Sequence, residues 1–272
     1  MLACPECARP FDTGRCECRR DWTETGGVPD LYVASSPNDA ASAVRAWFEE
    51  HPQDPWRPEE DAASLAASGR RDPLLAELDE LPARARVVDL GCGCGRAACF
   101  LALAGREVLG LDLAMTGLLR AEVFRRRAEL ATVSFARANL LRPPVQPGVV
   151  DVVLLVDVLE HVADAAAAVA AAARCLAPEG RLVLRVATPW APDPGPEGRP
   201  PLWGGHLPEA VLGWLGDAGL TLRRSAPGIG AFSRAGPVLQ PGPVPGALAR
   251  WLQQARWGFG GGPPSIVYVA GR

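Results

Sequence analysis

From Arg86 onward, short apolar runs alternate with segments whose apolar residues recur every three or four positions. The runs at 86–90, 107–112, 132–137, 149–156 and 181–187 have strand length; the segments at 96–104, 116–130 and 164–176 have helical periodicity. This alternation predicts an α/β fold with a parallel sheet and right-handed helical crossovers. The run at 149–156 is apolar throughout after its start, as a strand buried on both faces must be. Gly105 is a helix stop, and Pro178-Glu-Gly180 turns the chain into the fifth strand. Downstream, 208–218 and 247–257 read as helices, and 220–224 and 265–269 as strands. Upstream, 39–50, 59–67 and 73–81 read as helices, separated by His51-Pro52 and Pro55-Trp-Arg-Pro58. The pattern does not say whether these upstream helices pack on the sheet edge or cap the domain.

Between the first strand and its helix lies Gly91-Cys-Gly-Cys-Gly95. Alternating glycines allow positive φ and let a ligand approach without meeting a Cβ. Two ligand frames overlap here. Gly93-x-Gly95-x-x-Ala98 fits a dinucleotide fingerprint. Asp89-x-Gly91-x-Gly93-x-Gly95 resembles the S-adenosylmethionine loop of class I methyltransferases. Charge separates the frames: Asp89 beside a pyrophosphate is unfavourable, whereas a methionine ammonium is attracted to it.

The stretch from 86 to 222, with the final strand, resembles the class I S-adenosylmethionine-dependent methyltransferases. The resemblance implies a Rossmann-like, doubly wound, seven-stranded sheet, six strands parallel and one antiparallel. It also implies S-adenosyl-L-methionine as cofactor, with Asp89, Gly91, Cys92, Gly93 and Gly95 forming its loop. Asp112, 21 positions after Gly91, ends the second strand, where a carboxylate accepts both ribose hydroxyls, although the same residue type also caps helices. Leu113 would flank the adenine. Asn139 stands where the family commonly has an acid for the adenine amino group; its amide oxygen can still accept, without charge assistance. Leu140 would offer the neighbouring backbone amide, and the backbone of Val156 would face the methionine moiety.

Val156-Asp-Val-Leu-Glu-His-Val162 resembles the family's E-H-hydrophobic segment, in which the histidine often orders the following turn. His161 is therefore a catalytic candidate beside that structural reading, with Asp157 and Glu160 expected to be solvated or capping. Trp203-Gly-Gly-His206-Leu-Pro-Glu resembles a loop near the acceptor in small-molecule methyltransferases. A histidine there can remove a hydroxyl proton, and His206 is the first candidate, against a cap or a packing role. His51 is the third. Trp47, Trp56, Trp190 and Trp203 fall in segments expected around the site, to stack on an acceptor or to glue helices to the sheet.

Residues 1–33 read as a separate unit, 34–85 as a helical linker or cap, and 86–272 as the catalytic domain. Cys4-Pro-Glu-Cys7 and Cys16-Glu-Cys18 could supply a tetrahedral sulfur cage for structural zinc, the second pair being tighter than the usual spacing. With Trp22 and Gly26-Gly-Val-Pro-Asp-Leu31 behind it, the segment resembles the short zinc ribbon that accompanies many bacterial methyltransferase domains.

Composition narrows the function further. All 28 basic residues are arginine, which excludes lysine Schiff-base chemistry and a Walker-type phosphate lysine. No run reads as a membrane span or N-terminal signal, and eight cysteines fit a reducing compartment, so a cytoplasmic enzyme is expected. The expected substrate is a small-molecule acceptor. The rival is a ribosomal or transfer RNA base, but residues 1–30 carry six acids against four arginines, and no Asn-Pro-Pro-Tyr-like motif follows strand four. A third reading is a partner protein that binds cofactor without turnover.

Overall fold

The computed structural model of the protein describes residues 2–7, 9, 22–34, 41–51, 56, 57, 59–69, 74, 78, 81–191, 200–202, 204–228 and 265–272. Its centre is the expected alternation: β3 (Arg86–Leu90), α3 (Arg96–Leu103), β4 (Glu107–Asp112), α4 (Met115–Arg127), β5 (Val133–Arg137), β6 (Val150–Val156), α5 (Ala165–Cys175) and β7 (Leu176–Ala187). After it come α6 (Pro208–Asp217), β8 (Thr221–Gly228) and β9 (Ser265–Gly271). Before it lie β1 (Thr23–Thr25), β2 (Val28–Asp30), α1 (Ala41–Glu50) and α2 (Ala62–Gly69). The helix expected at 247–257 falls outside the described residues, and of 73–81 the structure describes as helical only Leu74 and Leu78, both buried.

The strands form one sheet in the order β1-β2-β5-β4-β3-β6-β7-β9-β8. From β5 to β8 it is the expected seven-stranded arrangement, with β9 antiparallel to both neighbours. The described sheet has nine strands, not seven. The additional pair is the hairpin β1–β2, whose second strand pairs parallel with β5 at Asp30 and Arg137. Its turn is Gly26-Gly27, at φ 60° and 93°, a pair that suits the twist of a two-residue hairpin. The ion pair Arg137–Asp30, at 2.7 Å, fastens the hairpin to the sheet edge.

Alternate residues of each central strand face opposite layers. Val87, Val108, Val133 and Leu154 pack with α3 and α4; Val88, Leu109, Val153 and Leu182 pack with α5 and α6. The inner face of α5 is nearly all alanine, which keeps helix propensity high and lets the helix approach the sheet closely. Asp164 caps it by accepting from the Ala167 amide at 2.8 Å. The chain runs from β3 outward to β4 and β5 on one side and then crosses back to β6 on the other side of β3, so a crevice opens at the strands' carboxyl ends.

Candidate active site

β3 ends in the glycine loop, and Gly91, Gly93 and Gly95 have φ of 81°, 53° and 75°. Left-handed backbone at three alternate positions is what only glycine adopts without strain. A Cβ on Gly91 would lie 2.4 Å from a Val158 methyl, and one on Gly95 would lie 2.8 Å from Ala121 and the Phe135 ring. A Cβ on Gly93 would meet nothing within 4 Å. Packing therefore demands two of these glycines, while the third borders open space. That space is a cavity of about 730 Å³ over the switch point, lined by Asp89, Asp112, Asn139 and Val156 among others.

Asp89 is 2% exposed, and its pKa is pushed up to about 7 by burial first and the nearby Asp112 carboxylate second, with no hydrogen bond from the described residues holding it down. Asp112 is better supported. Its Oδ2 accepts from the Gly93 amide at 2.8 Å and its Oδ1 from the Ala114 amide at 2.9 Å. Burial still raises its pKa, against the pull of those amides and with help from Glu49. Asp112 is not the N-cap of α4, a position Ala114 occupies; it ties the loop to the residue before that helix while facing the cavity. Leu113 and Leu140 also line the cavity, as do Cys92 and Asn139. The Asn139 oxygen accepts from the Leu141 amide at 2.9 Å, and its nitrogen donates to the Val33 carbonyl at 3.1 Å. The chain leaving the hairpin is thereby tied to this end of the site.

The upstream helices divide between the two positions considered for them. Val44, Trp47 and Phe48 of α1 line the cavity as its outer wall, whereas Leu65 of α2 is buried with the α3 layer. Three residues of this upstream region hold the loop and the starts of α3 and α4 from outside; of these, the sequence pointed only to Trp56. Glu49 accepts from the Met115 and Thr116 amides at 2.8 and 2.9 Å and from the Thr116 hydroxyl at 2.5 Å. Trp56 donates from Nε1 to the Cys94 carbonyl at 2.7 Å while stacking on Phe124 at 3.7 Å. Glu60 pairs with Arg96 at 2.7 Å, and Arg96 lies over the Trp56 ring.

The far end of the cavity follows β6. Asp157 is exposed and paired with Arg185, in keeping with a solvated role. Glu160 is not solvated: it is 3% exposed, lines the cavity wall, and burial pushes its pKa up to about 8. Its Oε2 has no hydrogen-bond partner among the described residues. The excess of apolar neighbours in the E-H-hydrophobic segment was the available signal for this burial.

His161 also lines the cavity, edge-on to Phe48 with ring centroids 5.1 Å apart. Burial lowers its pKa to about 4, so the ring is neutral at physiological pH. The structure places His206 differently from a general base. It is absent from the cavity lining, its Nε2 lies 3.0 Å from the Leu159 carbonyl, and its ring packs edge-on against Trp214. A carbonyl only accepts, so Nε2 carries the proton and the imidazole is used as a brace for the turn before His161. His51 stacks on Trp47 at the outer surface. Trp190 is exposed, and Trp203 lies outside the described residues.

With this geometry in place, the comparisons with known proteins become informative. Residues 88–184 match the family model described as a methyltransferase domain. The ubiquinone biosynthesis O-methyltransferase of Methylococcus capsulatus is 36% identical over 135 residues, 49% of this chain and 56% of that protein. The corresponding protein of Albidiferax ferrireducens is 35% identical over 96 residues, 35% of this chain and 38% of that one. The chain thus spans about half, or less, of the length of these curated relatives. Among solved structures, an S-adenosylmethionine-dependent methyltransferase from Mesorhizobium loti aligns with a TM-score of 0.52 at 22% identity, covering 76% of this chain and 100% of that one. The [4+2]-cyclase SpnF aligns with a TM-score of 0.54 at 21% identity, covering 74% and 77%. The fold is that of the class I methyltransferases, and the segment from β3 through β7 carries their sequence pattern.

Proposed function

We propose that the protein transfers a methyl group from S-adenosylmethionine to a small-molecule acceptor. Asp89 carries this reading: an almost fully buried carboxyl with no compensating hydrogen bond from the described residues, at the floor of the cavity, calls for a cation. The cofactor's ammonium meets that demand; a pyrophosphate would worsen it. Gly91, Cys92, Gly93 and Gly95 form the loop around the methionine end, with the Val156 backbone opposite. Asp112 keeps lone pairs for two ribose hydroxyls while its amide contacts hold it still, Leu113 flanks the base, and Asn139 with Leu140 borders the adenine edge.

When bound, the cofactor supplies an electrophilic sulfonium methyl. The chain's own contribution is alignment and exclusion of water, through the wall made by Val44 and Phe48. His161, neutral and facing the acceptor end, is the candidate to accept a hydrogen bond from an acceptor hydroxyl, and His206 braces its turn. The relatives' name as O-methyltransferases favours oxygen as the acceptor atom. SpnF, named a cyclase, shares the fold, so the test reads methyl transfer itself. Incubation with methyl-labelled S-adenosylmethionine and fractionated metabolite extract should give S-adenosylhomocysteine and a labelled small molecule. Cofactor binding without any labelled product would favour the non-catalytic reading, and label in RNA would favour the nucleic-acid reading. Failure to bind the cofactor, or equal affinity for a nicotinamide dinucleotide, would sink the proposal.

We also propose a structural zinc held by Cys4, Cys7, Cys16 and Cys18 in the unit 1–33, ahead of a cap at 34–85 and the domain at 86–272. The first pair supports it: Cys4 is 1% exposed and Cys7 half-buried on one turn, which Leu2 and Ala3 pin to Val145 and Pro144 beside the sheet. Cys16 and Cys18 lie outside the described residues, and the described residues alone contain no cluster of three metal-ligating side chains. No described helix is long and apolar enough to cross a membrane. A cytoplasmic setting is proposed from the thiol-rich composition.

A further inference from the structure

We propose that Glu49 is a positioning residue that couples cofactor binding to closure of the cavity's outer wall; the proposal rests on the methyltransferase reading of the site. Ala41, Val44 and Phe48 recur at helical spacing and line the cavity, so α1 is the wall itself. Phe48 meets His161 at the acceptor end. The next residue, Glu49, reaches in the other direction, to the beginning of α4.

The N-terminus of α4 lacks a side-chain cap of its own, because Ala114 occupies the N-cap position. Its exposed amides are shared between two carboxylates from elsewhere. Asp112 takes the Ala114 amide, and Glu49 takes the amides of Met115 and Thr116 together with the Thr116 hydroxyl. Burial alone would raise the Glu49 pKa, but these hydrogen bonds outweigh it and hold the group below its ordinary range. The interaction is therefore made by the ionised carboxylate, at the positive end of a helix dipole, where it is strongest.

Asp112 and Glu49 consequently grip successive amides of one turn. A ligand that engages Asp112 fixes the Ala114–Thr116 turn, and that turn is the receptor for Glu49. Fixing it holds α1 down over the cavity. By reciprocity, holding α1 down must tighten the ligand by the same factor. Residues at the two ends of the site, Asp112 and Phe48, are thus linked through one side chain that does not itself line the cavity.

The test uses S-adenosylhomocysteine as probe on the full chain, with amide hydrogen exchange of residues 41–50 and the probe's dissociation rate as readouts. In the native protein, the probe should slow exchange in α1. In Glu49→Ala, exchange of α1 should quicken and become insensitive to the probe, and the probe should leave about 10-fold faster, within the usual range of coupling between sites. Exchange in β3 and β6 should stay as in the native protein, which a general loss of stability would not allow. Glu49→Gln, with one acceptor oxygen instead of two, should restore part of the effect. If Glu49→Ala fails to fold, Thr116→Val, which removes only the hydroxyl, should shift both readouts in the same direction by a smaller amount. Native-like α1 exchange and dissociation within twofold in the folded variant would overturn the coupling while leaving the methyltransferase reading intact. A native protein that does not bind the probe would overturn both.

Discussion

Asp112 stands close enough to Asp89 to oppose its ionisation, although the two lie near the ends of neighbouring parallel strands and have different surroundings. Asp112 has two backbone amides to stabilise its charge, and Asp89 has burial and a like-charged neighbour. A cavity that holds one carboxyl at a pKa of about 7 is prepared for a cation.

Cofactor affinity should therefore depend on pH. A cationic ammonium binds the ionised form of Asp89, while below pH 7 the unliganded protein holds this group protonated. Binding then expels a proton, so affinity should fall as pH drops below 7, approaching tenfold per pH unit. Calorimetric titration of S-adenosylhomocysteine between pH 5.5 and 8, in two buffers of different ionisation enthalpy, measures both the affinity and the released proton. Asp89→Asn should lower affinity at pH 8 by about 10-fold and flatten the profile. A native affinity independent of pH would remove Asp89 from the ammonium site.

The three loop glycines should fail in different ways. Gly91→Ala and Gly95→Ala place a methyl inside packed side chains, at 2.4 and 2.8 Å, in addition to left-handed strain. Each should cost about 2 kcal/mol or more and lower the melting temperature by several degrees. Gly93→Ala meets nothing within 4 Å and carries only the backbone strain, about 1 kcal/mol, so it should fold. Its methyl borders the cavity, and S-adenosylhomocysteine affinity should fall by more than that strain explains. Thermal melts with and without the ligand separate the cases; equal ligand affinity in Gly93→Ala would move the cofactor away from the loop.

What the sequence made legible follows from the range of the forces involved. Strands β3 and β4 and the glycine loop were readable because their signals are local: apolar period, chain reversal, and an acid at each strand end. The hairpin β1–β2 was not expected: its first strand, Thr23-Glu-Thr25, is wholly polar and exposed, and its docking on β5 depends on Arg137, 107 positions beyond Asp30. Glu49 and Glu60 carry no local signature, and Trp56 was expected near the site without its partner, because each acts on a backbone group or charge 36 to 67 positions away. His206 looked catalytic because a histidine before a helix in a site loop is compatible with several uses. Only the position of the Leu159 carbonyl decides among them.

The two histidines should separate by substitution. His206→Ala removes a hydrogen bond and an aromatic contact outside the cavity. It should cost about 1 kcal/mol, a melting point lower by about 2–4 °C, with S-adenosylhomocysteine affinity unchanged. His161→Ala empties part of the acceptor end and should raise KM for the acceptor with little effect on cofactor binding. Since His161 is neutral above its pKa of about 4, its own titration should leave the methylation rate level from pH 5.5 upward at saturating cofactor. Loss of turnover in His206→Ala beyond what stability accounts for would return that residue to the catalytic role.

Glu160 gives the clearest stability signature. Its folded pKa of about 8 lies above the ordinary value of 4.5, so between these limits the folded protein binds the proton more tightly than the unfolded chain. Its contribution to stability is full below pH 4.5 and declines as pH rises toward 8, by about 1.4 kcal/mol per unit across the window. At pH 7 the accumulated cost is about 3 kcal/mol. Glu160→Gln keeps the shape and the acceptor oxygen but cannot ionise. The variant should match the native protein near pH 4 and exceed its stability progressively from pH 5 to 8, as read by urea unfolding at each pH. Parallel native and variant profiles over that range would show that Glu160 does not hold its proton in the folded protein. A variant that is both more stable and less active at pH 7 would show that the buried acid is retained for the site it lines and not for the fold.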